Sequence, residues 1–274
     1  MLPIGLQLYS LRDEASANLA LTLEKVRHMG YTGIEFAGLY GHSAQEVSRL
    51  LEKTDLLPVS AHVPLAELLA DPAGTVAQYK AIGCSYIAIP WLEEARRPGQ
   101  PLYEQTLEQI RKIAEECLHQ GLKLLYHNHD FEFTKLDGAY ALDRMYATIP
   151  ASLLQTELDT CWVRVGGEDP CAYLHKYAGR APVVHLKDYY MEGPDVSPQY
   201  ELIGDTKKCA SESTSFEFRA LGAGLQDMPA ILKASEEAGA EWLIVELDRP
   251  PKGQTAEEAV RASRIYLTSL GYEE

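Results

Sequence analysis

The sequence predicts a single domain, residues 1–274, folded as a closed (β/α)₈ TIM barrel, and three observations favour this fold class. Eight short apolar stretches of strand type alternate with longer amphipathic stretches along the whole chain. No linker rich in proline, glycine or serine divides the chain into halves. The first strand lacks the glycine-rich turn that usually follows it in a doubly wound open sheet, which is the competing architecture.

The predicted strands combine β-branched or aromatic residues with polar residues at their ends. In chain order they are IGLQLYS, GIEFAG, PVSAHV, SYIAIPW, KLLYHNH, LLQTELD, PVVHLKD and WLIVELD. The stretches between them place apolar residues at three- and four-residue spacing, which predicts helices. Examples are ANLALTLEKVRHMG, YEQTLEQIRKIAEECLHQG and MPAILKASEEAGA. A glycine that can cap a helix in the left-handed conformation marks four helix-to-strand junctions, at Gly30, Gly83, Gly121 and Gly239.

Composition and charge exclude several classes of function. The formal net charge is -15, from 40 acidic and 25 basic residues, so we expect no nucleic-acid partner. The five cysteines are scattered and form no CxxC pair, which favours reduced thiols over a disulfide framework or a cysteine-rich zinc site. No apolar run reaches the roughly 18–20 residues that span a bilayer. We therefore expect a cytoplasmic protein with no membrane partner.

One connection is much longer than the others. It runs from Asp188 to about Leu225, after the seventh strand. In a barrel such a loop lies at the carboxyl-terminal face, where it could fold over a site as a lid. Arg219 within it is a candidate clamp for an anion or a hydroxyl, with an ordinary exposed loop arginine as the alternative. The glycines at 222 and 224 lack the GxGxxG context of a dinucleotide loop.

The carboxyl ends of the strands collect residues that bind metals and move protons. Because these ends meet at one face of a barrel, their side chains are expected to converge there. Buried imidazoles and carboxylates are costly without a partner, and a metal ion is an economical one. Each residue taken alone has an ordinary structural interpretation, but the set is too complete for chance. It comprises Glu35, His62, Trp91, His127, His129, Glu157, Asp159, His185, Lys187 and Glu246.

Four of these residues predict a metal centre. Asp159, His185 and Glu246 stand where the apolar runs of strands six, seven and eight stop, so we expect them at equal depth. Adjacent strands lie about 4.8 Å apart, close enough to share one ion. His127 on strand five completes two nitrogen and two oxygen ligands. The predicted cofactor is one divalent ion, with Mn²⁺ as the first choice over Co²⁺, Zn²⁺ or Fe²⁺, since Ca²⁺ prefers oxygen ligands alone.

Several stretches carry a resemblance that covers almost the whole chain. They are GLQLYSLRD, MGYTGIEFAGLYG, LLYHNHDFEF, LDTCWVRVGGEDP, VVHLKD and LGAGLQDMPAILKASEEAGAEWLIVELD. They resemble the xylose isomerase-like TIM barrels, in the sugar phosphate isomerase/epimerase branch. The resemblance implies that Asp159, His185 and Glu246 bind one divalent metal. It departs at strand five, where His127 replaces a glutamate that in the family is both a ligand and one of two opposed bases.

This resemblance and the metal site together predict proton transfer next to a carbonyl. Glu246 is expected to act as the base, while His129, Glu157 or Lys187 returns or relays a proton. His129 lies one pleat beyond His127 on the same side of the strand, so it is expected to face the substrate. The residues assigned to contact with a small sugar substrate are Glu35, His62, Trp91, Trp162 and Arg219.

The first functional hypothesis is a metal-dependent isomerase or epimerase of a small sugar or keto-sugar. The alternative is a lyase that dehydrates an inosose or cleaves a 3-keto-glycoside, and it is raised by His127 in place of glutamate. Phosphodiester cleavage is disfavoured by the net charge and by the small number of histidines. A non-enzymatic binding barrel would need no complete ligand set. The substrate and the formation of a homo-oligomer stay open.

Overall fold

Eight parallel strands close into a barrel in the computed structural model, which describes residues 1–192 and 216–273. Strands that are consecutive in the sequence are neighbours in the barrel, and the eighth pairs with the first. The fold class predicted from the sequence is therefore confirmed. The strands are β1 (Ile4–Gln7), β2 (Gly33–Ala37), β3 (Leu57–His62), β4 (Tyr86–Ile89), β5 (Lys123–His127), β6 (Leu154–Asp159), β7 (Val183–Leu186) and β8 (Trp242–Val245).

Helices follow the strands, several of them in pairs. They are α1 (Arg12–His28), α2 (Ala44–Thr54), α3 (Leu65–Ala70), α4 (Pro72–Ile82), α5 (Tyr103–Gln120), α6 (Ala141–Thr148), α7 (Thr160–Val165), α8 (Pro170–Lys176), α9 (Met228–Glu237) and α10 (Ala256–Ser269). Short 3₁₀ turns span Leu8–Leu11, Glu94–Arg96 and Phe131–Phe133. No helix of the described ranges is long and apolar enough to cross a membrane.

The predicted helix caps are present. Gly83 and Gly121 are the C-caps of α4 and α5, with φ of 102° and 86°. Gly30 and Gly239 lie one residue beyond the C-caps of α1 and α9 and also have positive φ. In this left-handed region a side chain is strained and glycine is not, so these positions fix where each helix turns back toward the next strand.

An apolar layer closes the lower part of the barrel and sets the direction of the side chains above it. Leu125, Val183 and Ile244 belong to this layer. Because alternate residues of a strand share one face, the residues two positions further along also point inward. Those residues are His127, His185 and Glu246. The same alternation that packs the apolar floor therefore places polar side chains directly above it.

The register of the strands determines how the three predicted ligands come together. Asp159 and His185 are direct partners across β6 and β7. His185 is in turn paired with Ile244, so Glu246 lies two residues beyond that partner along β8. Because barrel strands tilt relative to the barrel axis, residues at one height are offset in register from strand to strand, and alternate strands contribute to one layer. The two-residue step is therefore compatible with the equal depth predicted for the ligands, whose ligand atoms lie within 4.8 Å of one another.

The long connection after β7 begins and ends as a two-stranded antiparallel ribbon. Asp188–Tyr190 pairs with Glu217–Arg219. The predicted lid falls mostly on residues 193–215, which lie outside the described residues. The Asp188 carboxylate accepts hydrogen bonds from four backbone N–H groups, those of Tyr189, Gly222, Gly224 and Gln226. The base of this connection is thereby fastened to the end of β7.

Candidate active site

Four side chains from β5 to β8 converge at the carboxyl-terminal mouth of the barrel. His127 Nε2 lies 3.3 Å from Asp159 Oδ2 and 3.6 Å from Glu246 Oε2. His185 Nδ1 lies 3.0 Å from Glu246 Oε2. All four side chains are buried, and their ligand atoms lie within 4.8 Å of one another. The structure thus brings together the whole set that the sequence predicted as metal ligands.

The arrangement of these atoms fits a divalent ion. Ligand atoms that each lie about 2.1 Å from one ion stand roughly 3.0–3.5 Å apart in tetrahedral or octahedral geometry. The Nδ1 atom of His127 is hydrogen-bonded to the Pro90 carbonyl at 3.2 Å, which leaves Nε2 to face the cluster. Among the described residues neither His127 Nε2 nor Asp159 Oδ2 makes a hydrogen bond of good geometry, and the groups beside Asp159 Oδ2 are His127 Nε2 at 3.3 Å and the Lys187 ammonium at 3.0 Å. A divalent ion would satisfy both of these buried ligand atoms.

The start of α7 aims the Asp159 carboxylate. Its Oδ1 atom accepts hydrogen bonds from the backbone N–H groups of Cys161 at 2.8 Å and Trp162 at 3.1 Å. Asp159 is thus the N-cap of α7, and this cap turns Oδ2 toward the cluster. Burial opposes ionisation, but Lys187 and His127 hold the pKa of Asp159 below its usual range. The carboxylate is ionised and ready to bind a cation.

Glu35 holds the imidazole of His185 in place through a hydrogen bond. Its Oε2 atom lies 2.6 Å from His185 Nε2 and accepts a hydrogen bond from Gln7. Its Oε1 atom accepts a hydrogen bond from Ser60. A carboxylate in this position fixes the tautomer and the orientation of a ligating imidazole, leaving Nδ1 for the metal side. Glu35 is fully buried. The structure places it behind His185, and its contact with a substrate stays a prediction.

His62 and Glu157 form a second pair beside the cluster. His62 Nε2 lies 2.6 Å from Glu157 Oε2. The imidazole of His62 stacks on that of His185, with ring centroids 5.3 Å apart. Burial opposes ionisation of Glu157, but the neighbouring His185 and His62 hold its pKa well below the usual range. The pair offers an imidazole oriented by a carboxylate, an arrangement suited to proton transfer.

The histidines of the two groups overlap. His62, His127, Glu157 and His185 could also hold a metal ion. This second group shares His127 and His185 with the first. The described residues therefore offer two neighbouring positions for one ion rather than two independent sites. Glu35 does not complete a separate site, because three hydrogen bonds already occupy its oxygens.

Lys187 brings a fixed positive charge into the centre. Its ammonium lies 3.0 Å from Asp159 Oδ2, 2.8 Å from Glu246 Oε2 and 2.8 Å from Asp248 Oδ2. Burial would favour the neutral amine, but these three carboxylates raise the pKa of Lys187 well above its usual value. In the same way Lys187 and His185 outweigh burial and hold the pKa of Glu246 well below its usual range. Both groups are ionised.

Aromatic rings form one wall of the mouth. His129 lies 5.3 Å from the Trp162 ring and stacks on Phe131 at 5.8 Å. Burial, followed by the nearby His127 and Lys187, lowers the pKa of His129 well below its usual value. The imidazole is therefore neutral. Trp162 is fully buried, whereas Trp91 is 39% exposed beyond the end of β4.

Arg219 lies on the ribbon after β7. Its guanidinium forms an ion pair with Glu217 at 2.6 Å and lies 5.7 Å from the Tyr190 ring centroid. The side chain is about one-third exposed, so both interpretations made from the sequence, clamp and loop arginine, stay open. Substrate contacts by Arg219, Trp91 and Trp162 stay predictions.

Sequence reasoning missed two buried carboxylates. Glu132 accepts hydrogen bonds from the Tyr126 hydroxyl and from the backbone N–H of His129, and burial raises its pKa to about 7. Asp248 is the third partner of Lys187. A signal for Asp248 was present, because β6 ends in the tripeptide Glu-Leu-Asp and the same tripeptide directly follows β8. The register step makes Asp159 the ligand in one copy and Glu246 the ligand in the other.

Comparison with known proteins agrees with this architecture. The xylose isomerase-like TIM barrel family matches residues 23–269. A structure of a sugar phosphate isomerase/epimerase from Parabacteroides distasonis superposes with a TM-score of 0.79 at 20% identity, covering 100% of this chain and 96% of that one. A structure of L-ribulose 3-epimerase superposes with a TM-score of 0.71 at 18% identity, covering 99% and 95%. At these identities the similarity concerns the fold.

A curated relative is similar over part of the chain. An inosose dehydratase of Geobacillus kaustophilus is 29% identical over 169 residues, which cover 61% of this chain and 53% of the relative. The match thus spans about half the length of that protein. Together with the closed eight-stranded barrel, the family match over residues 23–269 confirms the resemblance stated from the motifs. The chain belongs to the family of xylose isomerase-like TIM barrels.

Proposed function

We propose that this protein is a divalent-metal-dependent enzyme that removes a proton next to a carbonyl group of a small sugar-like substrate. The observation that carries the proposal is the buried set of two imidazoles and two carboxylates at the barrel mouth. His127, Asp159, His185 and Glu246 would hold the ion, with Mn²⁺ as the first choice. When bound, the ion would polarise a substrate oxygen and stabilise the negative charge that develops when the proton leaves.

Side chains of the centre would accept and return the proton. Glu246 is ionised and His129 is neutral, so each can accept a proton. The Lys187 ammonium, 2.8 Å from Glu246 Oε2, is the main group that holds the pKa of Glu246 low against the effect of burial. The His62–Glu157 pair lies on the opposite side of His185 from Glu246 and can return a proton from there. The rings of His129 and Trp162 lie 5.3 Å apart, and the Trp162 ring lies 5.4 Å from the Lys187 ammonium, so apolar faces border one side of the centre.

Elimination of water is the net reaction we favour. The inosose dehydratase relative supports it, as does His127 in the place where the family has a second carboxylate base. In an elimination one group takes the α-proton and a different group protonates the leaving hydroxyl, so two matched bases are not required. Lys187, His129 and the His62–Glu157 pair offer groups of different kinds for these two steps.

Epimerisation or isomerisation of a keto-sugar is the second candidate. It requires that a proton removed from one side of a carbon be returned elsewhere. Glu246 and the His62–Glu157 pair flank His185 from two sides, an arrangement that suits this requirement.

Cytoplasmic location and self-association stay predictions, as does the identity of the substrate.

The test uses an inosose as substrate in D₂O with Mn²⁺, followed by NMR. Elimination predicts a dehydrated product, whereas epimerisation predicts deuterium at the carbon next to the carbonyl of a product that keeps all its hydroxyl groups. Deuterium exchange into the recovered substrate without either product would show that the proton is removed but that neither net reaction follows. No exchange and no product, with a panel of keto-sugars as well as with the inosose, would contradict the proposal.

A further inference from the structure

The side chain of Lys187 is a large cation buried inside the predicted metal centre. Its exposed fraction is 0%. The ammonium lies 5.4 Å from the Trp162 ring centroid and 5.7 Å from that of Phe218, so aromatic faces cover it on the outside. The surrounding groups therefore hold the positive charge of Lys187 inside the centre.

The Lys187 ammonium contacts two carboxylate oxygen atoms that are also predicted to bind the ion. Lys187 Nζ lies 3.0 Å from Asp159 Oδ2 and 2.8 Å from Glu246 Oε2. His127 Nε2, the third predicted ligand atom, lies 3.3 Å and 3.6 Å from the same two oxygens. An ion bound by these three atoms would therefore lie within a few ångströms of the ammonium. Two cations at that separation repel each other strongly in a buried site.

Asp248 gives the ammonium another partner. Its Oδ2 atom lies 2.8 Å from Lys187 Nζ, and Asp248 belongs to neither of the two groups that could hold a metal ion. The ammonium can thus stay paired with Asp248 while the carboxylates of Asp159 and Glu246 bind an ion. Without Asp248 it would have only the ligand carboxylates. Burial raises the pKa of Asp248 above its usual value, although the contact with Lys187 acts against this.

We propose that Lys187 is a built-in competitor of the divalent ion, and that Asp248 controls the strength of this competition. In the metal-free protein the ammonium neutralises Asp159 and Glu246, which prevents two buried carboxylates from standing unpaired. When the ion binds, the ammonium shifts its pairing toward Asp248. Lys187 thereby stabilises the empty centre and limits the affinity for metal. This inference rests on the metal site of the proposed function.

The competition is tested by titrating Mn²⁺ into metal-free protein by calorimetry. The variants are Lys187→Met, Asp248→Asn and the double variant, with Lys233→Met, an exposed lysine on α9 paired with Glu237, as the control. Lys187→Met should bind Mn²⁺ at least about tenfold more tightly, because the repulsion is gone. Asp248→Asn should bind it at least about fivefold more weakly, because the ammonium then has only the ligand carboxylates. The control should match the wild type.

The double variant separates competition from a general effect of charge. If Asp248 acts through Lys187, the loss caused by Asp248→Asn should disappear in the Lys187→Met background. Strictly additive effects, or an affinity that Lys187→Met leaves unchanged or weakens, would overturn the inference while the metal site stands. Absence of Mn²⁺ binding in every protein, wild type included, would overturn the metal site and the inference together.

Folding of the variants is measured in the same preparations. Lys187→Met leaves three buried carboxylates without their ammonium, so its metal-free form should melt at a lower temperature than the wild type. Added Mn²⁺ should raise its melting temperature by more than it raises that of the wild type. If Lys187→Met does not fold, Asp248→Asn, which keeps the ammonium, still decides the inference. An affinity equal to that of the wild type in this variant would overturn it.

Discussion

At the scale of single residues, the centre is built from ligands and from the groups that orient them. Asp159 turns one oxygen toward the cluster because the other caps α7. His185 presents Nδ1 because Glu35 holds Nε2. His127 presents Nε2 because the Pro90 carbonyl holds Nδ1. Each ligand atom is thus directed by a hydrogen bond on its far side, which prepares the site before an ion arrives.

Glu35→Gln tests this orientation. The amide is nearly the same size but carries no charge, so the hold on His185 Nε2 weakens while all four ligands remain. We expect the affinity for Mn²⁺ to fall about tenfold to hundredfold. Calorimetric titration measures it. Ser60→Ala, which removes one hydrogen bond to Glu35 and no charge, is the matched control and should cost less. Equal affinities for Glu35→Gln and wild type would show that His185 needs no such support.

Glu132 should make stability depend on pH. Burial raises the pKa of this glutamate to about 7, from 4.5 as the ordinary value. The folded state therefore holds a proton that the unfolded state has lost, and this contribution to stability is present below pH 4.5 and is lost as the pH rises through about 7. The total is at most roughly 3 kcal/mol.

Glu132→Gln keeps the shape and removes the ionisable group. Its metal-free form should lose less stability than the wild type between about pH 4.5 and pH 7. Urea unfolding at several pH values measures the difference. Parallel curves for the two proteins over that interval would mean that Glu132 ionises in the folded state as it does in water.

At the scale of elements, each end of a strand delivers a side chain and the following turn secures it. The 3₁₀ turn Phe131–Phe133 after β5 carries Glu132 back onto the His129 backbone. The helix after β6 fixes Asp159. After β7, Asp188 ties the returning chain at Gly222 and Gly224. The turns thus supply hydrogen bonds that the strand ends alone would not give these side chains.

Asp188→Asn tests the fastening of the long connection. An amide has one acceptor oxygen, so it cannot serve four backbone N–H groups that two carboxylate oxygens now share. We expect a loss of about 1–3 kcal/mol in the free energy of unfolding. Asp227→Asn is the matched control, since Asp227 accepts one backbone hydrogen bond, from Ala230 at the start of α9. Equal losses in the two variants would contradict the role given to Asp188.

At the scale of the whole molecule, the sequence predicted the fold and the ligand set for the same reason. Strand and helix patterns alternate along the chain, and a closed barrel brings all strand ends to one face. His127, Asp159, His185 and Glu246 were therefore predictable as neighbours. What sequence patterns could not supply is the register between strands, since it depends on tilt and closure. The two-residue step between Glu246 and the register partner of His185 is one example.

The same limit explains which contacts within the centre could not be predicted. Glu35 and Glu157 end up behind His185 and His62 because alternation gives the direction of a side chain, but not the distance to groups across the barrel. Glu132 lies in a turn that follows no periodic pattern, so no sequence pattern indicated that it is buried. The contact of Lys187 with two ligands arises from a long flexible side chain, whose end point no sequence spacing determines.

We propose that four residues on consecutive strands bind one divalent ion. The most direct test is elemental analysis of protein reconstituted with Mn²⁺ and freed of unbound ion, for the wild type, Asp159→Asn, His127→Gln and the control Lys233→Met. We predict close to one ion per chain in the wild type and the control, and a large loss in the two ligand variants. No bound ion in the wild type, or equal binding in all four proteins, would contradict the claim.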